Sequence, residues 1–128
     1  MLVNSLQGLV GTIMLNPVSA ANTAAATSAW VAVPVGWEGD VLFILQTGAV
    51  TGSMAAILET ADDNSGTGAR TVTFADATAA FTAVSAANKI EKKVVDRKAL
   101  GTYVKFTGTV TTGPILIGLA MAGVPKTA

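Results

Sequence analysis

Two residue types are missing from this sequence altogether, cysteine and histidine. Without cysteine the chain has no disulfide, no thiol nucleophile and no thiolate that could bind a metal ion. Without histidine it has no Ser-His-Asp triad and no imidazole for metal binding or acid-base chemistry. No motif places two carboxylates beside an identifiable nucleophile either. We therefore expect a protein that is not an enzyme and that has no cofactor and no metal site.

Charged residues are scarce, at 12% of the chain, compared with roughly 25% in an average soluble domain. Such a chain must cover its surface with small polar and apolar residues, or bury part of that surface against other chains. The net charge is zero, but residues 1–69 carry five acidic residues and no basic one, whereas residues 70–128 carry eight basic and three acidic residues. This distribution permits electrostatic matching between neighbouring copies.

The beginning of the chain is apolar but does not have the pattern of a membrane segment. Its apolar run, Leu6 to Leu15, is too short and too interrupted to span a bilayer, and it lacks the positive start of a signal peptide. We interpret residues 1–19 as a first strand or as an arm that docks on a neighbour, followed by a single domain at 20–128. Both interpretations explain the exposed apolar residues equally well. The residues of this segment predicted to lie at an interface are Leu9, Val10, Ile13 and Met14.

Short apolar runs separated by turn residues fill the rest of the sequence, which is typical of a sandwich or barrel. The clearest alternation predicts Val104 and Phe106 on one face of a strand, with Tyr103 and Lys105 on the other. Residues 41–46 (VLFILQ) are apolar on both faces, so we expect burial on both sides, in the core and beneath a loop or against a partner. The predicted strands are 8–15, 30–35, 41–46, 53–60, 70–74, 89–95, 103–110 and 115–122.

One of these strands has a competing interpretation, because Met, Ala, Leu and Glu in residues 53–60 also favour a helix. A close reversal at 47–52 favours a hairpin, and hence a strand. In residues 89–95 we expect Ile90, Val94 and Val95 to belong to the core. The sequence thus predicts an all-β fold, an antiparallel jelly-roll-like β-sandwich of about eight strands in two sheets.

Two polar clusters could suggest a ligand site. Asp62 and Asp63 open a Gly-bearing loop that resembles a calcium loop, but the EF-hand spacing is not met, and Asp initiates turns without any metal. We therefore predict a turn that touches a neighbouring subunit. The basic residues of 89–98 lack the aromatic side chains that stack on nucleic acid, so we expect no nucleic-acid partner. Trp30 is a predicted core or interface anchor.

The order of motifs in residues 20–125 resembles that of small tailed-bacteriophage capsid decoration proteins, also called cement proteins. The motifs are GWEGDVLFILQTGAVTGSM, the acidic loop ETADDNSGT, the strand GTYVKF and a final apolar strand that ends near Gly123-Val124-Pro125. The chain departs from the family at Ala61, where Ser often precedes the Asp pair, and in its apolar start.

The resemblance implies a virion structural protein on the capsid exterior, made in the host cytoplasm, which clamps neighbouring major capsid proteins as a homo-oligomer, a dimer or a trimer. We expect no membrane partner. Two other classes remain open from the sequence. One is a different virion component, such as a tail, fibre or spike-base protein. The other is a β-sandwich carbohydrate-binding module, although only seven aromatic residues exist to form a sugar site.

Overall fold

A computed structural model of the protein describes residues 10–125, which form eight β-strands and one short 3-10 helix. The elements are β1 (Val10–Ala20), β2 (Val31–Ala32), β3 (Trp37–Val50), β4 (Ser53–Ala61), β5 (Arg70–Thr71), β6 (Ile90–Asp96), the 3-10 helix (Arg97–Ala99), β7 (Tyr103–Thr112) and β8 (Ile115–Pro125).

The strands form two antiparallel sheets with four strands each. Sheet A has the order β1-β8-β3-β6, and sheet B has the order β2-β7-β4-β5. This is the strand order of a jelly roll, in which the chain crosses repeatedly between two facing sheets. The predicted all-β sandwich of about eight strands is therefore confirmed.

Alternate residues of each long strand point into the space between the sheets, because successive side chains of a strand face opposite sides. Sheet B contributes Phe106 and Leu58, and sheet A contributes Phe43 and Ile117, all at 1% exposure or less. Burial of each such large apolar side chain stabilises the fold by about 1.5–3 kcal/mol. The rings of Phe74, Phe81 and Phe106 pack in sequence, with centroids 5.1 and 6.0 Å apart.

The strand β3 is longer than predicted, and it is not buried on both faces. Val41, Phe43 and Leu45 point into the core, whereas Leu42 and Ile44 are only half-buried on the outer face of sheet A. The turn predicted at 47–52 is shorter in the structure and consists of Thr51 and Gly52, where Gly52 has a φ of 78°. A Cβ at Gly52 would collide with Thr112, so this turn requires glycine.

The prediction that Ile90 belongs to the core is wrong. In β6, Ile90 lies opposite Gln46 and Val94 lies opposite Leu42, which places both on the outer face of sheet A. Ile90 is 63% exposed and Val94 is half-buried, whereas Val95 is buried as expected. The reason is that β6 is an edge strand. Charged side chains of an edge strand can point inward and still reach water past the rim of the sandwich.

Other predicted elements differ mainly in extent. Residues 53–60 form a strand and not a helix, because β4 pairs along its whole length with β7. The predicted strands 30–35 and 70–74 shrink to the two-residue strands β2 and β5. The segment 75–89, hereafter the strap, crosses from sheet B to sheet A, and Val84 of the strap pairs with Met54.

The buried hydroxyl of Thr60 gives a test of this fold. It donates to the Tyr103 carbonyl at 2.9 Å and accepts from the Gly101 N–H at 2.7 Å. We expect Thr60→Val to lower the free energy of unfolding in urea by about 1–3 kcal/mol, because it keeps the volume but leaves these buried groups without a partner. Thr109→Val, at an exposed position of β7, should change stability by less than about 0.5 kcal/mol. Equal effects of the two variants would contradict this account.

Candidate docking surface

The described part of the chain has neither a cluster of potential metal ligands nor a helix that could span a membrane. Within residues 10–125 no group of three or more potential metal ligands of the carboxylate, imidazole or thiol type comes together. No helix in the same range is long and apolar enough to cross a bilayer. The feature that stands out is a sheet face.

The outer face of sheet A is mostly apolar in its middle and carries polar side chains on β3 and β6. Its middle row runs from Ile13 through Ala120 and Ile44 to Lys92, each residue opposite the next on the neighbouring strand. Four of the six large hydrophobic residues that are exposed in the described chain lie on this face. They are Ile13 at 61%, Ile90 at 63%, Leu116 at 42% and Val124 at 42% exposure.

Small residues in β8 make the centre of this face shallow. Gly118 and Ala120 floor a depression of about 200 Å³ between Ile13 and Ile44. A second depression of about 240 Å³ lies beside Leu116 and shares Pro17, Gln46 and Gly118 with the first. The two adjoin as one mostly apolar groove, whose lining also includes the polar Gln46, Thr47 and Asn88. Such a surface fits a partner by shape and apolar contact.

Charges bound this face at one end. Glu38 lies opposite Val124, and Asp40 lies opposite Asp96 in the neighbouring strand. All three carboxylates are exposed, and we call them the acidic rim. The rim keeps the end of the sheet hydrated. Between β1 and β6 the apolar rows are interrupted by polar side chains that include Gln46 and Lys92.

The outer face of sheet B is chemically different. β7 presents Tyr103, Lys105 and Thr107 outward, and Glu59 of β4 lies opposite Lys105. The Lys105 Nζ atom lies 5.5 Å from the centre of the Trp30 ring, a cation–π arrangement. Since sheet B is mostly polar outside and sheet A is apolar, only sheet A has the composition of a docking surface.

The predicted interface residues fall in different places. Val10, which is 45% exposed, and Ile13 lie on β1, whereas Met14 is buried in the core and contributes packing. Leu9 lies outside the described residues. The outward residues of β8 were not predicted as a site, and those of β3 were predicted only through the alternative that residues 41–46 are buried against a partner. The one indication of this surface in the sequence was that residues 41–46 (VLFILQ) are apolar on both faces of the strand.

The other predicted interface residues belong to sheet B and do not meet the groove. Trp30 is half-buried there, and the Gly66 loop lies against its ring. The Asp63 carboxylate accepts N–H bonds from Ser65 and Thr67 at 2.9 and 3.1 Å. Hydrogen bonds from Thr67 and Ser65 lower the pKa of Asp63. Its acceptors are thus engaged in a turn, as predicted for this loop.

A polar cluster fastens the strap to the edge strand β6. Lys93 Nζ donates to Asp76 at 2.7 Å and lies 3.6 Å from Glu91, while Glu91 accepts the Thr82 N–H at 3.0 Å. The depression beneath the strap, about 370 Å³, is lined by apolar groups, by the hydroxyl residues Thr47, Thr82 and Ser85, and by Lys89 and Glu91. Because that carboxylate is already bonded to Thr82, we interpret the cluster as structural.

The cluster also fixes the charge state of its members. The hydrogen bond from Lys93, followed by those from Thr78, holds the pKa of Asp76 far below its ordinary value. The hydrogen bond to Asp76 raises the pKa of Lys93. Both shifts favour the ion pair across the whole neutral range.

Comparison with known proteins does not assign the chain to a family. No protein-family model matches the chain, and no curated protein matches it. One similar solved structure comes from work described as "Bacillus endospore appendages form a novel family of disulfide-linked pili". It has 15% sequence identity and a TM-score of 0.47, over 93% of this chain and 89% of that chain.

The Asp76–Lys93 pair predicts a specific acid response. Because the pKa of Asp76 is depressed, its contribution to stability is complete above the ordinary value of 3.8 and is lost as the pH falls below it. We expect the urea midpoint of the wild type to fall more steeply between about pH 5 and about pH 2 than that of Asp76→Asn. Lys93→Met should flatten the curve in the same way.

Glu38→Gln is a suitable control, since Glu38 is exposed and makes no ion pair within residues 10–125. It should retain the wild-type slope in acid. Parallel curves for the wild type and Asp76→Asn would show that the pair does not stabilise the strap.

Proposed function

We propose that this protein is a non-enzymatic virion structural protein that binds the outer surface of an icosahedral phage capsid. In this role it stabilises the capsid by bridging neighbouring major capsid proteins. The observation that carries the proposal is the apolar outer face of sheet A, in a chain whose sequence pattern resembles capsid decoration proteins. The other face of the sandwich, with its polar and charged side chains, would be directed to solvent.

The physical properties of the face suit a lattice partner. Apolar contact is not directional, and a shallow groove of small residues lets another surface approach closely. A single contact of this kind can be weak, because many copies on one lattice gain strength by multiple attachment. A protein that binds only the assembled capsid also stabilises that assembled state by mass action.

Substitution of one groove residue tests this proposal. Leu116→Lys places a charge at the margin of the groove, where Leu116 is 42% exposed and packs beside Gly48. We expect it to weaken binding to mature capsids that lack the protein by at least about tenfold, equivalent to roughly 1.4 kcal/mol. Co-sedimentation of purified protein with capsids, over a range of concentrations, measures the dissociation constant.

The matched control is Thr109→Lys, which adds the same charge at an exposed position on the outer face of sheet B. It should bind as the wild type does and should protect capsids equally against heat. Circular dichroism checks that both variants are folded. If the wild type does not bind, or if both variants bind equally well, the proposed use of sheet A is wrong.

A further inference from the structure

Three of the four sheet edges in this sandwich are protected against pairing with another strand. β2 and β5 are only two residues long. On β6, Glu91 and Lys93 point inward as charged groups, and the strap bonds to this edge through the Ala75 N–H and the Val94 carbonyl at 2.7 Å. Short strands, inward charges and covering loops are the devices by which proteins block edge pairing.

The fourth edge, β1, has less protection. It runs for eleven residues without one charged side chain. Within residues 10–125, β1 ends the strand order of sheet A, and no loop makes a backbone hydrogen bond to it. Its second half is broken by register shifts and by Pro17, which has no N–H. The segment Val10–Ile13 is regular, and it is the open part of the edge.

We propose that β1 pairs antiparallel with β1 of a second copy, with a two-fold axis close to Thr12, inside the regular segment, so that Ile13 lies beside the axis. The two A sheets then become one eight-stranded sheet across the dimer. This inference deepens the proposed function and rests on it for its biological role. It is tested on purified protein without capsids, so that either idea can fail without the other.

The absence of charge in β1 is the reason to choose a second copy as its partner. In a two-fold contact each residue near the axis lies close to the same residue of the other copy, so that any charge there would meet its like. β1 has no such charge, and the acidic rim lies on β3 and β6, about 10 Å or more away at the usual strand spacing. Pairing would also cover Ile13, which is 61% exposed.

The orientation of this dimer suits a bridging protein. An antiparallel pair of identical strands in one sheet has its two-fold axis perpendicular to the sheet, so both copies turn the same face to the same side. The grooves of the two copies would then point together at one lattice. Each dimer could engage two capsid subunits at once, which is the bivalency that bridging requires.

Sedimentation of the wild type and of two lysine variants tests the interface. We expect the wild type to be a dimer and Ile13→Lys to be a monomer, with a dissociation constant at least about tenfold higher, because the two like charges would lie close together on one face beside the axis. Ile90→Lys is the matched control. Ile90 is also an outward isoleucine on an edge of sheet A, and its exposure of 63% is close to the 61% of Ile13. It should leave the dimer intact.

Two further experiments localise the axis. An equal mixture of Ile13→Lys and Ile13→Glu should dimerise again, because opposite charges now meet. Since the chain has no cysteine, Thr12→Cys, at the axis, should form a disulfide-linked dimer on mild oxidation, whereas Ile90→Cys should not. Equal thermal midpoints for the Ile13 and Ile90 lysine variants show that dissociation is not unfolding.

Other outcomes overturn the proposal. If the wild type is a monomer, β1 does not pair with a second copy, and its edge binds either a capsid strand or nothing. If the wild type is a trimer, a two-fold pair cannot be the whole assembly. A dimer that survives Ile13→Lys must use another surface. A dimer that forms only after residues 1–9 are removed would show that this segment covers the edge in the full chain.

Discussion

The antiparallel pairing of β3 with β8 at the centre of sheet A is the constraint on which both the core and the docking surface depend. Its register places Phe43 opposite Met121 on the inner face and Ile44 opposite Ala120 on the outer face. A slip by one residue would exchange the two faces, because side chains alternate along a strand. The large inward side chains fill the sandwich only in the observed register. The outward row of Ile44, Ala120 and Gly118 is therefore fixed by the requirements of the core.

The amphipathic parts of this fold could be predicted from the sequence. The alternation in residues 103–110 identified which side chains of β7 face the core, since only one face of that strand is apolar. β3 is apolar on both faces, and periodicity alone cannot tell which face meets the other sheet. The same difficulty explains the error at Ile90, because its inward neighbours Glu91 and Lys93 are charged whereas Ile90 itself points outward. Interpretation of the hydrophobic pattern rests on the assumption that apolar residues point into the core. At a docking surface they point outward.

The docking surface could not be assembled from the sequence, because its rows cross four strands that are far apart in the chain. Ile13, Ile44 and Ala120 meet only through the strand order of the jelly roll. The sequence did show that the chain has few charged residues. The structure locates much of that charge in the strap cluster, the acidic rim and sheet B, and this placement leaves the outer face of sheet A apolar.

An apolar face of this kind carries a risk of aggregation for a free protein, and the structure limits that risk in two ways. The acidic rim gives one end of the face a like charge in every copy, which opposes open-ended stacking of the faces. The protected edges β2, β5 and β6 oppose the growth of the sheets at three of four positions, so that the proposed pairing through β1 would close after two copies. A closed pair with its grooves on one side leaves the apolar surface available to a lattice. In the proposed role, the low number of charges serves binding to the capsid. The free protein can expose this apolar face because its few charges lie at the margins of the face.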